Sequence, residues 1–471
     1  MAYSSITKPT DYFNTVLWTG DNTARTISGV GFQPDWIWWK QRNGTDSHRL
    51  ADSVRGEGSA TFKLIFSEDT SAEYNGNDNG GSQGNINDIT SDGFSGVQGS
   101  SGYNNWNGNS YNYVAWNWKA GGSAPAITYV VKVVSDSGNK YRFDDFGTSA
   151  VTLDLQEGGT YTFDQSDSSN ATHPLRFYTA SDKSGGEYTT GVTTTGTPGS
   201  SGAKTVITVA ASAPTLYYQC SSHAGMGGQA NTNSTFGSTN FSGSVESIVS
   251  ASTASGFSVV KYTGDGTSGA TFGHGLDVAP RMVMCKGLGD TYGWKVWHAD
   301  LSSGKTLNLH NNNAEATDSN YISAASSTNF TTTGTYSVNE SGNNYVAYCF
   351  AEKTGFSKLG KFTGNGSTDG AFVYTGFKPA FVMLKYVLPT SGVGNWGIHD
   401  GVRDVDNPVQ KGLIANTTAA EDTHDFMDML SNGFKLRSTS SNRNENGSTY
   451  IYMALAERSL VGSNNIPATA R

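Results

Sequence analysis

The sequence predicts an all-β protein: several β-sandwich domains of jelly-roll type in a row, with one further β domain set among them. Three observations predict it. Glycine supplies 58 of 471 residues and, with abundant Ser, Thr, Asn, Tyr and Trp, marks many short strands joined by tight turns. No segment sustains the 3.6-residue apolar period of an amphipathic helix. One ordered set of strand signatures occurs three times along the chain.

The first signature is a strand running into a turn, Gly20-Asp21, Gly264-Asp265 and Gly364-Asn365. Such pairs accept positive φ cheaply and close a hairpin with the right twist. About a dozen residues later comes a glycine, a proline and an apolar run ending in lysine. The three copies span Gly31 to Lys40 through Pro34, Gly275 to Lys286 through Pro280, and Gly376 to Lys385 through Pro379. Proline admits the chain to a strand without removing a needed ladder donor. The run after it is apolar on both faces, as in a central strand of a sandwich. Each copy closes on a second such strand, at residues 113–118, 345–350 and 450–455.

This order predicts three copies of one sandwich, each with its own core, at residues 1–122, 241–355 and 356–459, and a tail at 460–471. Residues 244–250 alternate and are expected to pair with residues 257–262 as a first hairpin of the second copy. Residues 227–240, rich in Asn, Ser, Thr and Gly, read as a linker.

Residues 123–230 form the additional domain. They read strand, Gly158-Gly159 turn, strand, then His173-Pro174, and later an apolar strand ending in Cys220 with His223 and Met226 close behind. A thiolate, two imidazoles and a thioether make a donor set that suits copper, soft sulfur with borderline nitrogen. This segment resembles a plastocyanin-like cupredoxin, with the short Cys-x2-His-x2-Met loop of amicyanin. The resemblance implies a Greek-key β-barrel and His173, Cys220, His223 and Met226 as copper ligands. The alternative is a metal-free domain that keeps Cys220 as a small buried hydrophobe.

Lys plus Arg total 31 against 40 Asp plus Glu, a net charge of −9. That balance argues against nucleic acid and anionic membrane as partners. The first residues lack the apolar core of a secretory signal, and no apolar run approaches membrane-span length, so no membrane insertion is expected. Cys285 and Cys349 lie in apolar strands and read as buried thiols, with a bridge possible only if their strands are neighbours.

No phosphate loop, nucleophile elbow or zincin helix is present. Trp297-His298-Ala299-Asp300 and Ile398-His399-Asp400 sit at matching places in two copies, where the first copy has Leu50-Ala51-Asp52. An adjacent His and Asp suit acid/base work, yet a repeated position favours a structural role, and no enzyme is expected. Residues 75–81, Asn- and Gly-rich around Asp78, offer oxygen to calcium but fit no defined loop. Tyr103, Trp106 and Tyr111 either stack on sugar rings or cover a sheet edge.

The three repeats resemble an uncharacterised domain of structural proteins from marine tailed bacteriophages, in which a cupredoxin-like segment also lies between copies. The opening Thr7-Lys8-Pro9-Thr10-Asp11-Tyr12 looks like the start of that family. The resemblance implies a non-enzymatic virion protein made in the bacterial host cytoplasm, a tail fibre or appendage involved in host attachment. Expected partners are other virion proteins, a host-surface receptor or glycan, and further copies of itself. A capsid decoration or head-fibre protein and a copper-binding redox protein are the alternatives.

Overall fold

The structure, a computed structural model, describes residue 4 and residues 6–58, 61–75, 84–98, 106–233, 235–388 and 394–458. The fold is all-β, and among the described residues helix is limited to single turns such as Ser441–Asn444.

Repeats 1 and 3 each have eight strands in one order; repeat 2 keeps that order with additions, two strands at one edge and Lys305–Thr306 paired with Ala316–Thr317 as a separate two-stranded sheet. Repeat 1 pairs Phe13–Thr19, Asn112–Trp118, Trp36–Gln41, Arg49–Asp52 and Ile65–Phe66 in one sheet, and Arg25–Ile27, Gly93–Val97 and Asn85–Thr90 in a second. Numbered along the chain, these orders are 1-8-3-4-5 and 2-7-6, the nested pairing of a jelly-roll-like sandwich. In repeat 3 the fifth and sixth strands, Val409–Ile414 and Asp422–Leu430, also pair. Its two sheets thereby join into one eight-stranded, nearly closed barrel. In repeat 2, Ser247–Ser252 does pair with Phe257–Thr263 as the expected hairpin, and Ser238–Asn240 adds outside it.

The repeated turns are held by a repeated side chain. Asn107 Nδ2 donates to Asp21 Oδ1 at 2.6 Å and to the Thr23 carbonyl at 2.9 Å. Asn339 does the same to Asp265 and Thr267, and Asn444 to Asn365 and Ser367. Beneath each turn two aromatic rings stack across the first and eighth strands: Trp18 on Tyr113, Tyr262 on Tyr345 and Phe362 on Tyr450, with centroids 5.0 to 5.1 Å apart. The lysines that end the apolar runs are fully buried, their ammonium groups capped by carbonyls: Lys40 by Gln41 and Gly44, Lys286 by Gly287 and Tyr292, Lys385 by Gly394. Burial lowers the pKa of all three, Lys40 to about 8 and Lys385 to about 7.

Each repeat has its own core as expected, and a further core, which the sequence did not show, is shared by all three. Alternate residues of each central strand serve two different cores. Ile37 and Trp39 pack inside repeat 1, Val283 and Cys285 inside repeat 2, Val382 and Leu384 inside repeat 3. The residues between them, Trp36, Trp38, Met282, Met284, Phe381 and Met383, meet in one cluster shared by all three. Trp36 stacks on Tyr348 of repeat 2 at 4.4 Å, and Phe13 packs edge-on to Phe381 of repeat 3.

The same backbone hydrogen bond closes each junction. Glu73 N–H donates to the Leu288 carbonyl, Glu315 to Val387, and Glu421 to Arg42. A ring N–H repeats the cycle in the opposite sense: Trp294 Nε1 donates to Phe66, Trp396 Nε1 to Asn308 and His48 Nε2 to Ile414, at 2.8 to 3.1 Å. His48 Nδ1 accepts from Trp38 Nε1, which fixes the Nε2–H tautomer. The repeats form a closed ring with pseudo-threefold character.

The insert places two sheets around a separate aromatic core. One sheet runs Asn139–Phe143, Ala126–Ser135, Thr160–Asp164, Lys204–Thr208, Val192–Thr195; the other runs Leu153–Gln156, Gln229–Asn233, Leu216–Cys220, Leu175–Tyr178. The supposed linker at 227–240 is therefore a correction: Gln229–Asn233 pairs in parallel with Leu153–Gln156, and Ser238–Asn240 belongs to repeat 2. Its polar composition suits half-exposed strands as well as a tether. Buried Asp35 ties the junction, accepting from Ala120 N–H, Ser53 and Ser250. Cys285 and Cys349 lie on neighbouring strands but face Ala347 and Val283 rather than each other, and remain free thiols.

Candidate metal centre

Strand register builds the centre. Leu216–Cys220 pairs antiparallel with Leu175–Tyr178 so that Leu175 faces Cys220, which brings His173, two residues upstream, beside the loop that follows Cys220. Ser221 N–H donates to the Pro174 carbonyl at 3.0 Å and pins the two segments. The loop returns at Gly227, where a Cβ would lie only 1.6 Å from the Tyr218 carbonyl oxygen, so only glycine fits. Gly227 N–H donates to Gln219 Oε1 at 3.1 Å.

Cys220 Sγ lies 3.5 Å from His223 Nδ1 and 3.9 Å from His173 Nδ1. The donor atoms of all three fall within 4.8 Å of one another, and the imidazole centroids are 4.6 Å apart. Cys220 is buried, His173 half-buried and His223 exposed. Met226 is 1% exposed and packs in the same core as Cys220. Burial, then the neighbouring His223, lower the pKa of His173 and favour its neutral, metal-binding form.

Three residues without a local sequence signal hold this arrangement. Buried Gln165 donates to the His173 carbonyl at 2.9 Å and accepts from Leu175 N–H, bracketing the histidine. Tyr141 Oη donates to the same His173 carbonyl. Lys183 Nζ reaches the Cys220, Ser221 and His223 carbonyls at 3.1 to 3.4 Å, clasping the loop from outside. The donor set of one thiolate and two imidazoles, with a thioether buried nearby, fits copper by its chemistry.

The His/Asp motifs lie elsewhere. Asp52, Asp400 and His298 occupy one position of the repeat, opposite Trp36, Phe381 and Met282. Asp400 binds Arg403 at 2.5 Å and accepts from Trp116 of repeat 1; Asp52 binds Arg55 at 2.5 Å and accepts from Tyr348 of repeat 2. His399 and Asp400 are neighbours on one strand and face opposite sides. His298 is buried, and Asp300 beside it is committed to Arg281 at 2.6 Å. Asp400 and Asp52 thereby tie neighbouring repeats together, whereas His399 stays within repeat 3, beside Arg443 and the Phe426 ring. Of the loop aromatics, Trp106 is fully buried against Trp18 and Phe94, Tyr111 is exposed, and Tyr103 lies outside the described residues, as does most of the Asn-rich loop around Asp78.

The chain matches a family described as a domain of unknown function (DUF7483) over residues 8–143 and 229–459. It belongs to that family. The match covers the three repeats, leaves the loop with Cys220, His223 and Met226 unmatched, and assigns no activity. No curated protein and no solved structure matches the chain. No helix among the described residues is long and apolar enough to cross a membrane.

Proposed function

We propose that this protein is a non-catalytic virion component, a tail-fibre or appendage subunit that displays surfaces toward a host. The observation that supports it best is the closed ring: Trp36, Trp116, Tyr348 and Phe381 and the buried Asp52–Arg55 and Asp400–Arg403 pairs join three copies into one body. Asp52 and Asp400 are consumed in the same junctions, and His298 and His399 are buried. A rigid platform with acidic, Asn- and Gly-rich loops suits presentation. Immunogold labelling of purified phage particles with antibody against the folded chain tests this. Gold on the tail or its fibres is expected; gold on the head moves the protein to the capsid exterior, and its absence from particles sinks the virion reading.

A second reading is favoured by the His173, Cys220 and His223 cluster: the insert binds copper. His173, Cys220, His223 and Met226 would hold the ion, and copper would supply one-electron redox chemistry there. Gln165, Tyr141 and Lys183 fix the ligands in place, which limits rearrangement on binding. Titrating the protein with Cu(II) is expected to give one equivalent bound and an intense visible thiolate-to-copper absorption. Cys220→Ser is expected to abolish the colour while the far-ultraviolet dichroism stays unchanged. A protein that stays colourless and takes up no copper rules this reading out.

A further inference from the structure

The outer face of repeat 3 differs from its counterparts at two positions that the fold does not require. In the second strand of each repeat one residue faces inward: Ile27, Phe272 and Val373 pair with the buried Phe94, Phe330 and Phe434. The residues flanking it are small and exposed in repeat 1, Thr26 and Ser28; in repeat 2 they are half-buried Thr271 and buried Gly273, whose open side is taken by Asn240 and Ser242. In repeat 3 they are Phe372 and Tyr374, respectively 47% and 64% exposed. Repeat 1 folds with no rings at these exposed positions, so the fold itself does not require them.

These rings rest on glycine. A Cβ at Gly433 would lie 3.0 Å from the tip of the Phe372 ring, and one at Gly376 would lie 3.5 Å from Tyr374 Oη. The two side chains project from the same face of one strand, about 7 Å apart along it. Beside them on that face run two ion pairs, Lys435 with Asp369 and Arg437 with Asp428, each at 2.5 Å. Their charges cancel pairwise, so the flank offers many hydrogen-bond donors and acceptors but little net field. Apolar ring faces beside neutralised polar groups match a neutral polyhydroxy ligand better than a charged peptide.

We propose that this face is a glycan-binding site. Pyranose rings stack their C–H faces on Phe372 and Tyr374 while their hydroxyls bond to Asp369, Lys435 and Arg437. The site stands apart from both the copper centre and the virion assignment, because it needs only the folded chain.

The rival occupant is a second copy. In repeat 2 the matching edge is covered by the chain itself: Val245 N–H donates to the Thr271 carbonyl and Thr271 N–H to Ser244 Oγ. A copy pairing on the Phe372 edge would bury the same rings. The full-length protein should therefore be titrated by calorimetry with malto-, cello-, laminari- and chito-hexaose, and its mass followed by light scattering across the same concentrations. Saturable binding of at least one hexaose by a monomer is expected. Phe372→Thr with Tyr374→Ser, the residues repeat 1 carries, is expected to weaken it about tenfold or more, the effect of removing ~1.4 kcal/mol of contact. Binding of none of the four sugars, binding that the double variant retains, or a dimer that the double variant dissolves each overturns the proposal.

Discussion

Arg403→Leu is expected to lower stability by about 3–5 kcal/mol, because it strands the Asp400 carboxylate in a buried junction without its partner. Arg403 is fully enclosed, donates through Nε to Asp400 and through Nη1 to Glu421, and lies over the Trp116 ring of repeat 1. The molecule itself contains the remedy. Repeat 2 has His298 where repeat 3 has Asp400, and Leu301 where repeat 3 has Arg403. The residue that supplies the facing N–H or O–H is Trp116 or Tyr348 at two junctions, and its equivalent at the third is Met453, which cannot donate. A junction thus takes either a buried ion pair with a donor, or a neutral ring with none. Asp400→His added to Arg403→Leu should restore most of the lost stability, since no unpaired charge then remains inside. Urea unfolding of wild type, single and double variants measures this. A double variant no more stable than Arg403→Leu would show that the charge is not what the junction needs.

The triplication was legible because duplicated turns and strand entries keep the residues their backbone requires: Gly20, Gly264 and Gly364, then Pro34, Pro280 and Pro379. The shared core was not. A strand apolar on both faces, such as Trp36-Ile37-Trp38-Trp39, satisfies the pattern of a central sandwich strand whether its second face meets its own partner sheet or a neighbouring domain. Pattern alone carries no information about which. At the metal centre, Cys220, His223 and Met226 announced themselves by lying in one loop, and His173 by preceding the strand that pairs beside it. Gln165 and Lys183 gave no signal, because what makes them matter is a carbonyl brought close by folding.

Acid is expected to loosen the ring before it reaches the insert's core, and His298→Phe is expected to blunt that response. Burial lowers the pKa of His48, His298 and His399, so the folded protein holds them neutral while the unfolded chain protonates them near pH 6.5. A base whose folded pKa is depressed contributes stability above its unfolded pKa and loses it as pH falls toward the folded value. For His298 that window runs from 6.5 down toward 4, with Asp300 favouring and Arg281 opposing the charged form. Asp35 works in reverse: burial raises its pKa to about 6, so its protonation stabilises the fold as pH drops below that value. The net slope mixes these groups, but the difference between wild type and His298→Phe isolates one proton. That difference should be about 1.4 kcal/mol per pH unit between roughly pH 6 and 4.5. The Phe ring fills the buried space, and what it gives up is the Asp300 N–H bond to Nδ1. Unfolding midpoints measured at half-unit steps from pH 7 to 4.5 test this. Parallel curves for the two proteins would mean that His298 is already charged in the fold, and that the third junction is not the neutral counterpart of the other two.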